Sequence, residues 1–159
     1  MDLEQTKVLN QIINNNPRLS KEYRHSLTLQ IVKSSHKYGI ASKLLTAILM
    51  QESRYNLKAV HKTCGYSLGK NSHKVCIITD FGISQVHFKN IERFHFNKDR
   101  LLSDLEYSVD AGALIMSQYL KYKKVEPKTW WSRYNCGTGK YDTIQYVCKQ
   151  YQTLVAKRM

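Results

Sequence analysis

Ser42-Lys43-Leu44-Leu45-Thr46-Ala47-Ile48-Leu49-Met50-Gln51-Glu52-Ser53-Arg54-Tyr55-Asn56 is the stretch on which the fold turns. Leu45, Ile48 and Leu49 recur at helical spacing and Ser42 can cap the element, which predicts a helix from Lys43 to about Arg54. Glu52 continues the same apolar stripe at i+3 and i+4, so a carboxylate stands in line with side chains bound for the core. Two readings of it are open. A helix-end glutamate ordinarily reaches solvent or pairs with a neighbour such as Arg54. Held instead in apolar surroundings, it would keep its proton near neutrality and could serve as a general acid.

Upstream, Leu3, Val8, Leu9, Ile12 and Ile13 suit a short amphipathic helix that stops in Asn14-Asn15-Asn16-Pro17. Ser20 can cap a second helix running to about Tyr38, with Gly39 placed to end it. Downstream, residues 57–86 lose the helical period, contain Gly65, Gly69 and Gly82, and include the β-like run Val75-Cys76-Ile77-Ile78-Thr79. That pattern predicts a hairpin or three-stranded ribbon. Ser103-Asp104-Leu105-Glu106 fits a capping box that opens a long helix through Val109, Ala113, Met116 and Leu120. Pro127 suits the first turn of a short helix bearing Trp130 and Trp131, and a final helix is predicted from Asp142 to Ala156.

The expected architecture is therefore α+β and mainly helical, with a small β-ribbon inserted after the helix that carries Glu52. A chain of 159 residues, 42% hydrophobic, with 7 Gly and 2 Pro, fits one domain over 1–159 and excludes disordered or collagen-like character. The formal net charge of +13 points to a polyanionic partner or surface. Met1-Asp2-Leu3-Glu4-Gln5 carries acid and leads into no apolar run, unlike a signal peptide. The longest apolar stretches, such as Ala113-Leu114-Ile115-Met116, fall far short of a membrane span.

Four motifs occur in order. They are Gln51-Glu52-Ser53-x-Tyr55-Asn56, Phe81-Gly82-Ile83-Ser84-Gln85-Val86, Leu102-Ser103-Asp104-Leu105-Glu106 running on to Gly112, and Tyr134-Asn135-Cys136-Gly137. Together they resemble the lysozyme-like superfamily, in particular the soluble lytic transglycosylase (SLT) domain, over about residues 38–138. The resemblance implies cleavage of the β-1,4 bond between N-acetylmuramic acid and N-acetylglucosamine in bacterial peptidoglycan, with no cofactor required. It puts Glu52 as the acid/base residue and Ser53 as support for it or for the substrate. Gln85 and the backbone around Ile83 and Ser84 would line the cleft, and Tyr134 and Asn135 would close it. Two positions depart from the family pattern: Ser84 replaces a Met, removing an apolar wall contact, and Cys136 replaces the Ala of Tyr-Asn-Ala-Gly.

Asp80 leaves the reaction type open. Thr79-Asp80-Phe81-Gly82-Ile83 also resembles the strand of animal-type lysozymes, where the Asp is a second catalytic carboxylate and water completes hydrolysis. A transglycosylase needs only the glutamate, because the substrate's own C6 hydroxyl attacks and leaves a 1,6-anhydro end. The Glu-Ser and Tyr-Asn-x-Gly signatures favour the transglycosylase, Asp80 the lysozyme. Asp80 can equally be a strand-end residue that bonds backbone N–H groups.

His61-x-x-Cys64 and His73-x-x-Cys76 could hold a structural zinc through two imidazoles and two thiolates. A Cys64–Cys76 disulfide and free thiols are the alternatives, while Cys136 and Cys148 read as small buried apolar side chains. Trp130 and Trp131, close to Tyr134, could stack on sugar rings or could belong to the core. His87 and His95 follow the cleft segment and read as surface or internally satisfied histidines.

No signature of sequence-specific nucleic-acid binding accompanies the basic charge, so the expected partners are peptidoglycan and anionic envelope polymers, with virion or export-machinery proteins as further candidates. The expected route is synthesis in the cytoplasm and delivery to the periplasm or cell wall, in a virion or through an export or lysis apparatus. The rivals from other classes are a non-catalytic basic scaffold of a virion or envelope machine and a nucleic-acid-binding module.

Overall fold

A computed structural model describes residues 1–66, 73–136 and 141–159, with the side chains of 141–147 outside the described set. Gly69 and Gly137, singled out in the sequence, lie outside the described residues. The elements in chain order are α1 (Leu3–Asn15), α2 (Lys21–Tyr38), α3 (Ser42–Ser53), β1 (Val60–Tyr66), β2 (Lys74–Phe81), β3 (Val86–His87), α4 (Phe88–Phe94), α5 (Lys98–Ser103), α6 (Leu105–Ser117), α7 (Arg133–Cys136) and α8 (Tyr141–Ala156). Two 3-10 turns, Leu120–Lys124 and Trp130–Ser132, lie between α6 and α7. The fold is α+β and mainly helical, with the three strands in one antiparallel sheet of order β1-β2-β3. No helix among the described residues is long and apolar enough to cross a membrane.

Caps and periodicity explain the boundaries. Asp2 and Gln5 form a reciprocal capping box at the start of α1. Ser20 Oγ accepts from the Tyr23 amide at the start of α2, and Gly39 ends that helix at φ +67°. Two expected caps move by one residue. α3 begins at Ser42, with Ala41 in the cap position and no side-chain cap. The cap of α6 is Asp104, whose carboxylate accepts from the Tyr107 amide, while Ser103 closes α5 and bonds back to the Asp99 carbonyl. Asp wins because its carboxylate also receives the Arg100 guanidinium at 2.7 Å. The short helix expected after Pro127 is instead the 3-10 turn at Trp130–Ser132 followed by the single turn of α7.

The core gathers around α3. Every residue from Leu44 to Met50 is buried, packed with Val8, Ile12, Leu27 and Ile31 from α1 and α2 and with Val109, Ala113 and Met116 from α6. Tyr151 and Val155 bring α8 onto the same core. A second, smaller cluster of Phe81, Val86, Ile91, Leu101, Ala111 and Ile115 fills the space between the sheet, α4, α5 and α6. Trp130 and Trp131 are 5% and 6% exposed and belong to the main core, and the Trp131 indole N–H donates to the Lys128 carbonyl. Neither indole face is open to a sugar, which corrects the stacking role: burying so large an apolar ring removes more surface from water than one sugar contact would.

Candidate active site

Glu52 stands in the last turn of α3, just before the chain leaves the helix through two left-handed residues, Arg54 at φ +55° and Tyr55 at φ +65°. A bulky aromatic is rarely found in that conformation. It is held because Tyr55 is fully buried, its carbonyl accepting from Tyr23 Oη at 2.9 Å and its hydroxyl from Asn15 Nδ2 at 3.4 Å. The strained exit carries the chain from the helix straight into the ribbon.

The Glu52 carboxylate has one described hydrogen-bond partner, the Tyr151 hydroxyl of α8, which donates to Oε1 at 2.6 Å. Burial pushes the Glu52 pKa up to about 7, with a further rise from the charge of Asp80 and an opposing pull from the Tyr151 hydrogen bond. Desolvation wins, so the group holds its proton through the acid range and is still about half protonated at neutrality. Burial also raises the Tyr151 phenol well above its ordinary value, reinforced by the Glu52 carboxylate, so it stays a donor.

The carboxylate opens onto a cavity of about 300 Å³ lined by Glu52, Asp80, Gln85, Val86, His87, Lys89, Asn90, Ile115, Tyr119, Tyr134 and Asn135. Asp80 reaches this cavity from the end of β2, where its Oδ2 accepts from Thr79 Oγ1 at 2.7 Å and lies 3.2 Å from His61 Nδ1.

Gln85 reaches the cavity from the turn at residues 82–85, which the surrounding elements hold in place. Gly82 adopts φ +77°, and a Cβ there would lie 2.2 Å from the Leu101 carbonyl oxygen, so only glycine fits. Its amide donates to the Ala59 carbonyl at 2.8 Å. Ser53 Oγ donates to the Ile83 carbonyl at 2.7 Å, tying the turn to the residue after Glu52. The Ile83 amide donates to Ser108 Oγ at 3.2 Å, and Ser84 Oγ donates to the Ser108 carbonyl at 2.8 Å. Tyr134 Oη donates to the Ser84 carbonyl at 2.7 Å. The turn is thus bolted to α3, α6 and α7 at once.

The expected site residues divide accordingly. Glu52, Asp80, Gln85, Tyr134 and Asn135 meet at the cavity. Ser53 sits behind it as a clamp between α3 and the turn. Ile83 and Ser84 are fully buried and face the core and α6, which corrects their expected place on the cleft wall. Ser84 lies where Gly112 leaves room, since a Cβ on Gly112 would meet Ser84 Oγ at 2.3 Å. The small residue at 84 is therefore a packing requirement and not a lost wall contact. Gln85 lines the cavity at φ +48°, yet both protons of its amide serve the backbone, at 3.1 Å to Ala59 O and 2.9 Å to Gly82 O.

Cys64 and Cys76 are joined in a disulfide across paired positions of β1 and β2. Both sulfurs are consumed, so the thiolates of the His61, Cys64, His73 and Cys76 zinc reading are absent, and no group of three or more His, Cys, Asp or Glu converges among the described residues. Cys136 and Cys148 form a second disulfide linking α7 to α8, a correction to their reading as small buried apolar side chains.

The sequence did not reveal Tyr151, His87, Lys89, Asn90, Ile115 and Tyr119 as cavity or acid partners. Tyr151 and Val155 share one face of α8 at i and i+4, a signal of burial but not of contact with a residue 99 positions away.

A family model described as "Transglycosylase SLT domain" matches residues 30–153, well over half of the chain. No curated protein and no solved structure matches it.

Proposed function

The chain belongs to the transglycosylase SLT domain family, and from that premise we propose that it cleaves the bond between N-acetylmuramic acid and N-acetylglucosamine with Glu52 as its one acid–base group. Family membership makes it a lytic transglycosylase, a lysozyme-type glycosidase with peptidoglycan as substrate class. The observation that carries the residue assignment is the desolvated Glu52 carboxyl at the cavity, held by a hydrogen bond from Tyr151.

A sugar alkoxide leaves poorly unless its oxygen is protonated. Protonated Glu52 donates to the glycosidic oxygen as the bond to the muramoyl C1 breaks and positive charge develops on the ring. The resulting carboxylate then takes the proton of the C6 hydroxyl of the same muramoyl unit, whose oxygen attacks C1 to close a 1,6-anhydro ring. One carboxyl group serves both steps and returns to its starting protonation state. Tyr151 keeps the carboxyl in one orientation through the cycle.

Asp80 supports the second reading, a hydrolase, because it lines the same cavity. Its Oδ2 is engaged by Thr79 and His61, which suits a carboxylate that shapes the ribbon end. The two disulfides support a workplace outside the reducing cytoplasm and so delivery to the periplasm or cell wall.

Purified sacculi test the proposal. Wild type releases muropeptides with anhydro ends by mass spectrometry, and Glu52→Gln loses at least about a hundredfold in rate. Equal release by both proteins removes Glu52 from the chemistry. Reducing ends, together with a comparable collapse in Asp80→Asn, transfer the assignment to the hydrolase.

A further inference from the structure

Among the described residues lining the catalytic cavity, Lys89 is the one lysine or arginine, and it has no part in the proposed proton transfers. It stands in the first turn of α4, immediately after β3, and is exposed. Its ammonium has no hydrogen bond or ion pair among the described residues, whereas Lys33, Lys37, Arg100 and Arg133 each hold a carboxylate. His87, its neighbour on the cavity wall, accepts the Lys89 backbone N–H at Nδ1, 3.3 Å away. With that nitrogen acting as acceptor, the neutral ring carries its proton on Nε2 and is a second donor.

The sugar rings of the substrate offer uncharged hydroxyl and acetamido groups, and a cation has no special use for them. Carboxylates enter peptidoglycan through muramic acid, either as the free lactyl carboxylate of a strand without peptide or as the carboxylates of the peptide stem attached there. We propose that Lys89, with His87 beside it, receives a muramic-acid-linked carboxylate of the substrate and makes the enzyme selective for strands that carry one. This rests on the family's peptidoglycan substrate and adds the feature of that substrate which the cleft reads. Lys89 is a specificity residue: it touches substrate away from the bond that breaks.

The test separates binding from turnover. Glu52→Gln protein, which binds without cutting, is titrated with three glycan preparations: stem-bearing strands, amidase-treated strands with free lactyl carboxylates, and stem-bearing strands whose carboxylates have been converted to methylamides. The expected result is that adding Lys89→Ala weakens binding to a carboxylate-bearing preparation about fivefold. Binding to the methylamide strands stays unchanged, and Lys89→Arg keeps most of the affinity. Loss confined to stem-bearing strands assigns the carboxylate to the peptide; loss on amidase-treated strands assigns it to the lactyl group. In active protein the same substitution raises KM on that preparation and leaves kcat near wild type. Equal loss on charged and methylamide strands, or no loss on either charged preparation, overturns the proposal. If wild type releases no fragments while the charge-dependent binding is present, the proposed chemistry fails and the carboxylate site stands.

Discussion

At the scale of the residue, burial makes the Glu52 carboxyl, the proposed acid, reluctant to ionise. Its stability cost follows from linkage. Below the ordinary carboxyl value of 4.5 both folded and unfolded chains hold the proton. Between 4.5 and about 7 only the unfolded chain releases it, so stability falls as pH rises and levels off above about 7. The loss amounts to about 3 kcal/mol. Glu52→Gln removes the titration, so denaturant unfolding is expected to show the variant more stable than wild type at pH 8, with the advantage shrinking toward pH 4. A variant with the same pH dependence as wild type would mean that the carboxyl is solvated. Tyr151→Phe moves the Glu52 pKa in the same direction as the charge of Asp80 does. It removes the hydrogen bond that favours the ionised form, so the alkaline limb of kcat/KM moves to higher pH while kcat falls through loss of orientation. Both effects are read from one set of initial rates on sacculi.

At the scale of the element, the 82–85 turn and the ribbon behave differently. The turn is fixed by close contact with α6, where Ser108 and Gly112 are small enough to admit Ser84. Gly82→Ala forces a Cβ against the Leu101 carbonyl at a positive φ, so thermal or denaturant unfolding is expected to show a loss of more than about 2 kcal/mol. Ser84→Met, although it restores the residue usual at this position in the family, is expected to destabilise by about 1–3 kcal/mol, because nothing between Ser108 and Gly112 can yield a methionine-sized space. The ribbon has no such backing. All of β1 and most of β2 are exposed, and a two-stranded hairpin is marginal by itself in water. The Cys64–Cys76 disulfide is its fastener. Replacing both with Ser is expected to speed amide exchange in β1 and the outer part of β2 by at least about tenfold while α3 and α6 keep their protection. Uniform loss across the molecule would show that the ribbon is integral to the core.

At the scale of the whole molecule, the charge of +13 is expected to draw the enzyme to an anionic wall over a longer range than any single contact reaches. Sacculus binding is therefore expected to weaken as salt rises from about 0.05 M to about 0.5 M, where screening shortens to a few ångströms. Much of this organisation was legible in the chain. The helices came from apolar period and caps, the ribbon from the loss of that period, and the family from four ordered motifs that bear on local backbone shape: the helix end at Glu52, the Gly82 turn, the α6 cap and the Tyr134-Asn135 turn. Such features depend on neighbours a few positions apart, so they can be read along a line. α4 and α5 escaped because each is too short for a period to show and is held by the smaller core cluster. The tryptophans were ambiguous because their sequence pattern does not say which face meets water. The proton affinity of Glu52, its tyrosine partner from α8 and the place of Lys89 at the cleft arise between residues far apart in the chain. Desolvation and hydrogen-bond partnership are properties of a three-dimensional neighbourhood, and only the packing of α3 against α8, the turn and the ribbon brings that neighbourhood into being.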